Sequence, residues 1–132
     1  MTVRRWLCVG LMGLSIPAFA AQTRASCHVT YGGVTNTQAV MPTTSPYQVP
    51  ARQVGSFFKF RVVWVQAPEA DAGFHVYVYA DDPDGPILVQ QASYPAFSPT
   101  RSEHGFTGLQ RVYEPRRDGE LQYWCEQEQV TP

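Results

Sequence analysis

The sequence has little of what several large classes of protein need. Lys59 is its only lysine, and beyond the first twenty residues Arg116-Arg117 is the only adjacent basic pair. A nucleic-acid interface needs clustered Lys and Arg side chains that neutralise phosphates. We therefore expect no nucleic-acid partner. No apolar run reaches the roughly 20 residues that a membrane-spanning helix needs, so we also expect no stable membrane anchor in the mature protein.

Motifs of common catalytic and redox sites are also missing. The sequence contains no Gly-x-Ser-x-Gly elbow that would present a nucleophilic serine, and no Cys-x-x-Cys pair for redox chemistry or zinc. The carboxylates considered for glycoside hydrolysis, Glu114 and Glu120, flank a predicted surface turn where nothing separates their pKa values. We therefore predict that the protein is not an enzyme and holds no cofactor.

The first 20 residues are typical of a secretory signal peptide. Arg4 and Arg5 precede an apolar run over residues 6–16, and the segment ends Ala-Phe-Ala, the small-residue pattern before a cleavage site. We expect cleavage after Ala20, which leaves residues 21–132 as a single domain. The 8 basic and 11 acidic residues that remain give this domain a net charge of −3.

Two features of the same segment bear on its destination. The Arg4-Arg5 pair also occurs in twin-arginine export signals, and that alternative stays open beside the general secretory route. Cys8 follows Arg-Trp-Leu instead of small residues, so it is not a lipid-anchor cysteine. The expected location is the bacterial periplasm or the outside of the cell.

Cysteine count is the most informative number in the sequence. Of the three cysteines, Cys8 is lost with the predicted signal peptide, and Cys27 and Cys125 remain near the two ends of the mature chain. An exported protein pairs two such cysteines most simply as a disulfide. In the chain-entropy model, closing a loop of roughly 100 residues stabilises the fold by about 4.7 kcal/mol. We predict a structural Cys27–Cys125 disulfide.

Alternation of apolar and polar residues predicts strands and no helices in the mature chain. In the clearest strand, residues 56–65, one face is apolar and consists of Phe58, Phe60, Val62 and Trp64. Other predicted strands are residues 27–31, 73–80, 86–94 and two arms of a hairpin around 116–119. These six to seven strands predict an all-β fold: a small antiparallel β-sandwich, immunoglobulin-like, or a small barrel.

Residues 34–53 interrupt this pattern with a long polar stretch. It contains three prolines, Pro42, Pro46 and Pro50, whose missing amide hydrogens exclude a regular central strand or helix. We predict an irregular loop with some edge pairing. Because a loop of this length without structure is uncommon in a compact domain, it is either functional or contains strands that the pattern does not reveal.

Aromatic side chains provide the candidate binding residues. Tyr77 and Tyr79 alternate with the core residues of their strand and therefore point away from the core, and Trp124 points to the face opposite Cys125. Large amphipathic rings of this kind anchor protein interfaces and stack on ligands. The alternative is that the rings only cover the outer faces of the sheets.

Candidates for a metal site are weak. Three carboxylates lie in the turn 81–85, namely Asp81, Asp82 and Asp84. Calcium sites use such oxygen clusters, but the EF-hand spacing is absent, and Pro and Gly in this segment are typical of a plain turn. The histidines are isolated in the sequence, and only the fold could bring them together: His28, His75 and His104. We predict no metal.

The sequence thus predicts an exported β-sandwich that binds a protein partner as an adaptor, subunit or inhibitor. The predicted binding regions are the Tyr77 and Tyr79 face and the loop 34–53. One alternative is a protein that binds carbohydrate or a small ligand by aromatic stacking. Another is a metal protein or enzyme whose site is assembled only in the fold.

Overall fold

The structure is a computed structural model that describes residues 14–18, 20–97 and 102–130. Most of the predicted signal peptide, including Arg4, Arg5 and Cys8, lies outside the described residues. The described part of the chain contains no helix that is long and apolar enough to cross a membrane. It contains nine strands: β1 (Gln22–Tyr31), β2 (Val34–Val40), β3 (Pro42–Thr43), β4 (Arg52–Val54), β5 (Phe58–Val65), β6 (Gly73–Asp82), β7 (Gly85–Tyr94), β8 (Gln110–Tyr113) and β9 (Glu120–Val130).

The strands form two packed sheets, which confirms the predicted all-β sandwich. Sheet A has the order β2-β1-β9-β8. Sheet B has the order β3-β5-β6-β7, and β4 also pairs with β5. Apart from the short parallel pair of β3 with β5, all ladders are antiparallel. A 3₁₀ turn over Pro46–Gln48 lies in the connection between β3 and β4, and another over Glu69–Asp71 lies between β5 and β6.

The core lies between the inner faces of the two sheets. The predicted apolar face of β5 is buried there, with Phe58 and Phe60 at most 1% exposed. Across the core, Tyr123 of β9 packs on Phe60 with ring centroids 5.1 Å apart. Its hydroxyl donates a hydrogen bond to the Gln90 side chain of β7 (2.8 Å), so the only polar atom of this buried ring is satisfied. Burial also raises the pKa of Tyr123 above its ordinary value.

The predicted disulfide is confirmed and lies at the centre of sheet A. Cys27 of β1 is directly opposite Cys125 of β9, with Cα atoms 4.0 Å apart, and both side chains are at most 1% exposed. In immunoglobulin domains the disulfide joins the two sheets. Here it joins two neighbouring strands of one sheet, and therefore ties the first strand to the last described one.

The segment 34–53 contains more regular structure than its prolines suggest. Gly32 and Gly33, with φ of 58° and 80°, form a two-residue turn of the kind that glycine pairs favour. This turn pairs Tyr31 with Val34, and the ladder continues regularly to Ala25 and Val40. The expectation of an irregular loop was therefore wrong for β2, because the prolines begin only after it. With β2, β3 and β4 the strand count rises to nine.

Two turns meet at one end of the sandwich. The closing hairpin, predicted around 116–119, joins β8 to β9. Arg116 of this hairpin pairs with Asp82 (Nη1–Oδ2 2.9 Å), and Arg117 donates to the carbonyl of Asp81 (3.3 Å). The Arg117 guanidinium also lies over the Phe57 ring, 3.9 Å from its centroid. The hairpin turn is therefore fastened to the β6–β7 turn of the other sheet.

Candidate functional site

The outer face of sheet B carries the predicted tyrosines. Tyr77 and Tyr79 alternate with the buried Val76 and Val78 of β6, as the period-2 pattern requires. Both tyrosines are half-buried, and their rings lie nearly parallel, with centroids 6.5 Å apart and 17° between the planes. The two rings thus form one continuous aromatic strip along the sheet.

A cation from the neighbouring strand packs on one ring of this strip. Arg61 of β5 is directly opposite Tyr77, and its guanidinium carbon lies 4.8 Å from the centroid of that ring. The same guanidinium donates to the carbonyls of Pro46 (2.6 Å) and Val49 (2.7 Å). Arg61 therefore holds the connection between β3 and β4 against the outer face of sheet B and beside the aromatic strip.

This connection and the β5–β6 connection enclose a groove of about 640 Å³. Val63 and Val65 point outward from β5 but are at most 4% exposed, because the two connections cover them. Tyr47 stands at the rim with 96% of its surface exposed. We define this groove as the sheet B groove; its lining includes Pro46, Tyr47, Arg61, Val63, His75 and Tyr77.

His75 closes one end of the sheet B groove. Its Nδ1 is 2.9 Å from the Ser93 hydroxyl of β7, and its Nε2 is 3.2 Å from the carbonyl oxygen of Asp71. Both ring nitrogens therefore have partners, and the ring links the β5–β6 connection to the sheet. This arrangement fixes the shape of the groove.

Trp124, the third predicted binding residue, lies elsewhere. It is half-buried on the outer face of sheet A. His28 stacks on its ring with centroids 4.0 Å apart, and His104 meets it edge-on at 5.7 Å. His28 in turn contacts Glu126 and Thr37, both at 2.8 Å. The structure therefore brings two of the three histidines to Trp124, and separates Trp124 from Tyr77 and Tyr79.

Two of the three weak carboxylate candidates for a metal site, Asp81 and Asp82, have protein partners. Asp81 lies 3.6 Å from Lys59 and accepts a hydrogen bond from Gln53 (2.8 Å). The Asp82 carboxylate pairs with Arg116 and also accepts the amide hydrogen of Asp84. Among the described residues, no three His, Cys, Asp or Glu side chains form a group that could hold a metal ion.

Glu114 departs from the expectation of a surface carboxylate, because it is 1% exposed. Its oxygens accept the amide hydrogens of Arg116 (2.9 Å) and Arg117 (2.7 Å), and the Arg117 guanidinium (3.2 Å). Burial alone would raise the pKa of Glu114, but these hydrogen bonds outweigh it and hold the pKa below its ordinary value. Hydrogen bonds from Gln122 and Tyr113 lower the pKa of Glu120 as well. The pKa values of Glu114 and Glu120 are thus shifted in the same direction, whereas the two carboxyl groups of a glycosidase have pKa values shifted apart.

Replacing Glu114 with glutamine is expected to destabilise the protein at neutral pH. It should also reduce the loss of stability that occurs when the pH falls into the acidic range. A carboxyl with a lowered folded pKa stabilises the fold above its unfolded pKa of roughly 4.3, and this stability is lost as the pH falls through the folded pKa. In E114Q one of the two accepting oxygens is replaced by an NH2 group, which cannot accept the hydrogen bonds that Arg116 and Arg117 donate. We expect thermal unfolding at pH 7 to occur about 5 °C lower.

Thermal unfolding of E114Q at pH 7 and near pH 3 tests this expectation. The exposed Glu103 supplies the matched control, since Glu103→Gln removes the same charge without the turn contacts. Equal unfolding temperatures for the two variants at pH 7 would contradict the role of Glu114.

The sheet B groove is the site that sequence patterns only partly reveal. Tyr77 follows from alternation, whereas Arg61 and Tyr47 join the site through the fold of the β3–β4 connection, and the predicted Tyr79 is not among the lining residues. The outward-facing Val63 and Val65 were the available signal, since apolar residues on both faces of a strand indicate that both faces are covered. No protein-family model, no curated protein and no solved structure matches this chain.

Proposed function

We propose that the protein is an exported, non-catalytic binding module that takes up a protein partner on the outer face of sheet B. The observation that carries this proposal is the sheet B groove itself. It brings together Tyr77, whose ring lies parallel to that of Tyr79 just outside the groove, the exposed ring of Tyr47 at the rim and the guanidinium of Arg61. Tyr and Arg are the residue types that most often anchor protein interfaces.

A protein partner fits the groove better than a carbohydrate. A sugar stacks on a free aromatic face, but one face of Tyr77 is occupied by Arg61. The groove beside it is lined by apolar and polar side chains, with apolar surface offered by Pro46 and by the exposed ring of Tyr47. A concave site of this mixed character suits side chains of a partner protein that insert between the rings of Tyr47 and Tyr77.

Export is part of the proposal. The Cys27–Cys125 disulfide supports it, because structural disulfides form and persist in oxidising compartments. The first strand begins at Gln22, so cleavage after Ala20 leaves every described strand intact. Residues 1–20 act as the signal peptide, and the periplasm or the cell exterior is the place of action.

Tyr77→Ala is expected to weaken partner binding by about 30-fold or more, the effect of losing an interface anchor worth at least 2 kcal/mol. The substitution removes a ring of the strip and the surface under Arg61. Tyr77→Phe is the matched control, because it keeps the ring and the cation–π contact. It should retain most of the affinity.

The partner can be captured with a photo-cross-linking amino acid placed at Tyr47, in cells that make the protein. We expect one discrete adduct, which disappears when Tyr77→Ala is added. The same cross-linker at Tyr113, which is 57% exposed at the β8 edge of sheet A, is the matched control and should give no such adduct. An adduct from Tyr113 alone, or binding to a glycan array that Tyr77→Ala abolishes, would overturn a protein partner at the groove.

A further inference from the structure

One edge of sheet A is formed by β2, whose sequence is Val-Thr-Asn-Thr-Gln-Ala-Val. It pairs with β1 in one unbroken register, and it makes no backbone hydrogen bond to any other described residue. Its first six residues are half-buried or exposed, and Val34 is 61% exposed. An edge strand of this kind presents unpaired N–H and C=O groups as a template for another strand.

The other edge strands of the described chain carry the usual protection against such pairing, and β2 does not. β8 has four residues and includes Arg111. β3 and β4 are shorter still and contain Pro42 and Arg52. β7 contains Pro86, and its register with β6 shifts at a bulge. Short length, charge, proline and bulges are the devices that block edge pairing, and β2 has neither charge nor proline nor bulge.

The backbone groups that β2 offers can be identified from the disulfide pair. Cys125 directs its N–H to the Thr107 hydroxyl and its C=O to the Phe106 amide, and hence away from β1. Its partner Cys27 therefore directs its own backbone groups towards Gln38 of β2. By alternation along β2, the backbone groups that face outward are those of Thr35, Thr37 and Ala39.

We infer that β2 pairs antiparallel with β2 of a second copy of this chain, about a two-fold axis through Thr37. The strand sequence is similar in both directions, so this axis places like opposite like at every pair except Thr35 with Ala39. Val34 of one copy faces Val40 of the other, and Asn36 faces Gln38. No charged side chain lies on the edge, so two copies meet without like-charge repulsion. The pairing makes the two A sheets one continuous sheet.

This dimer is independent of the proposed binding role, because β2 lies in sheet A and the groove lies on the outer face of sheet B. Sedimentation equilibrium of the purified protein between about 1 µM and about 1 mM covers the range in which small interfaces associate. We expect a monomer–dimer equilibrium for the wild type. A monomer at every concentration would overturn the proposal and leave the edge to an extended segment of a different protein.

Substitutions at the axis sharpen the test. Thr37→Lys places two charges directly opposite each other, and we expect it to raise the dissociation constant at least ~10-fold. Thr37→Val is the matched control: it also removes the hydrogen bond to His28, but it keeps the edge uncharged, and it should dimerise as the wild type does. Equal dimerisation of the lysine variant, or equal loss in both variants, would overturn pairing through β2.

A cross-link gives a second readout of the same geometry. Hydrogen-bonded antiparallel neighbours have Cα atoms about 5.5 Å apart, a distance that a disulfide spans. Thr37→Cys should therefore form a covalent dimer under mild oxidation, whereas Ser93→Cys on the bulged strand β7 should not. Cross-linking at both positions to the same extent would show random collision and contradict the proposed axis.

Discussion

Replacing Cys27 and Cys125 together with alanine is expected to lower the free energy of unfolding by about 2–5 kcal/mol, the usual cost of removing a native disulfide from a small exported domain. The bond closes a sequence separation of 98 residues, so its loss frees a long loop in the unfolded chain. Both sulfurs are buried between the sheets, so their removal also leaves unfilled space in the core. The total free energy of unfolding of a small domain is only about 5–15 kcal/mol, so this loss is a large part of it.

Guanidinium denaturation of the oxidised wild type and of the double variant measures this loss. Cys8→Ser is the matched control, because Cys8 lies in the proposed signal peptide and should be missing from the purified protein. The control and the wild type should therefore have the same midpoint and the same intact mass. An unchanged midpoint in the double variant would contradict the stabilising role of the disulfide.

Gly105→Ala should destabilise the protein by about 2–4 kcal/mol, through backbone strain and overpacking together. Gly105 has φ of 60°, in the left-handed region, and an added Cβ would lie 2.1 Å from the carbonyl oxygen of Cys125. That oxygen belongs to a central strand and already accepts the Phe106 amide hydrogen at 2.9 Å. Either the loop or β9 must move, and movement of the loop displaces Phe106 from its contact with Phe74.

Gly32→Ala separates the two contributions to this cost. Gly32 has nearly the same φ, 58°, but an added Cβ meets nothing within 4 Å. We expect its cost to be about 1 kcal/mol, from the left-handed backbone alone. Thermal unfolding of both variants gives the comparison, and equal losses would mean that the loop yields to the new side chain without resistance.

The core and most strands were predictable because a sheet with one buried face imposes period-2 alternation. Phe58 and Phe60 show this directly, since both lie where alternation places them and both are buried. The strand β2 was not predicted because its residues are nearly all exposed. An edge strand with both faces in contact with solvent shows no alternation of apolar and polar residues. Gly32-Gly33 was the overlooked signal, because a glycine pair starts a hairpin as readily as it stops a strand.

The candidate site was less predictable than the fold, since its parts come together through non-local contacts. Tyr77 is a consequence of strand alternation, but the groove beside it depends on Arg61, which reaches the carbonyls of Pro46 and Val49. Hydrogen bonds from a guanidinium to backbone carbonyls cannot be predicted from a sequence pattern, because every residue has the same carbonyl acceptor. Glu114 was misplaced for a similar reason, as its burial depends on the turn that its own hydrogen bonds create.

The pairing of β1 with β9 determines the order in which the molecule can assemble. β1 is the first described strand and β9 the last, and they share a ladder from Gln22 opposite Val130 to Tyr31 opposite Leu121. Sheet A therefore cannot be completed until β9 is available, whereas the ladders of β5, β6 and β7 need only neighbouring segments. Contacts between distant segments form slowly. We therefore expect the Cys27–Cys125 bond to form late in folding, after the ladders of sheet B, so that the time course of its formation reports completion of the domain.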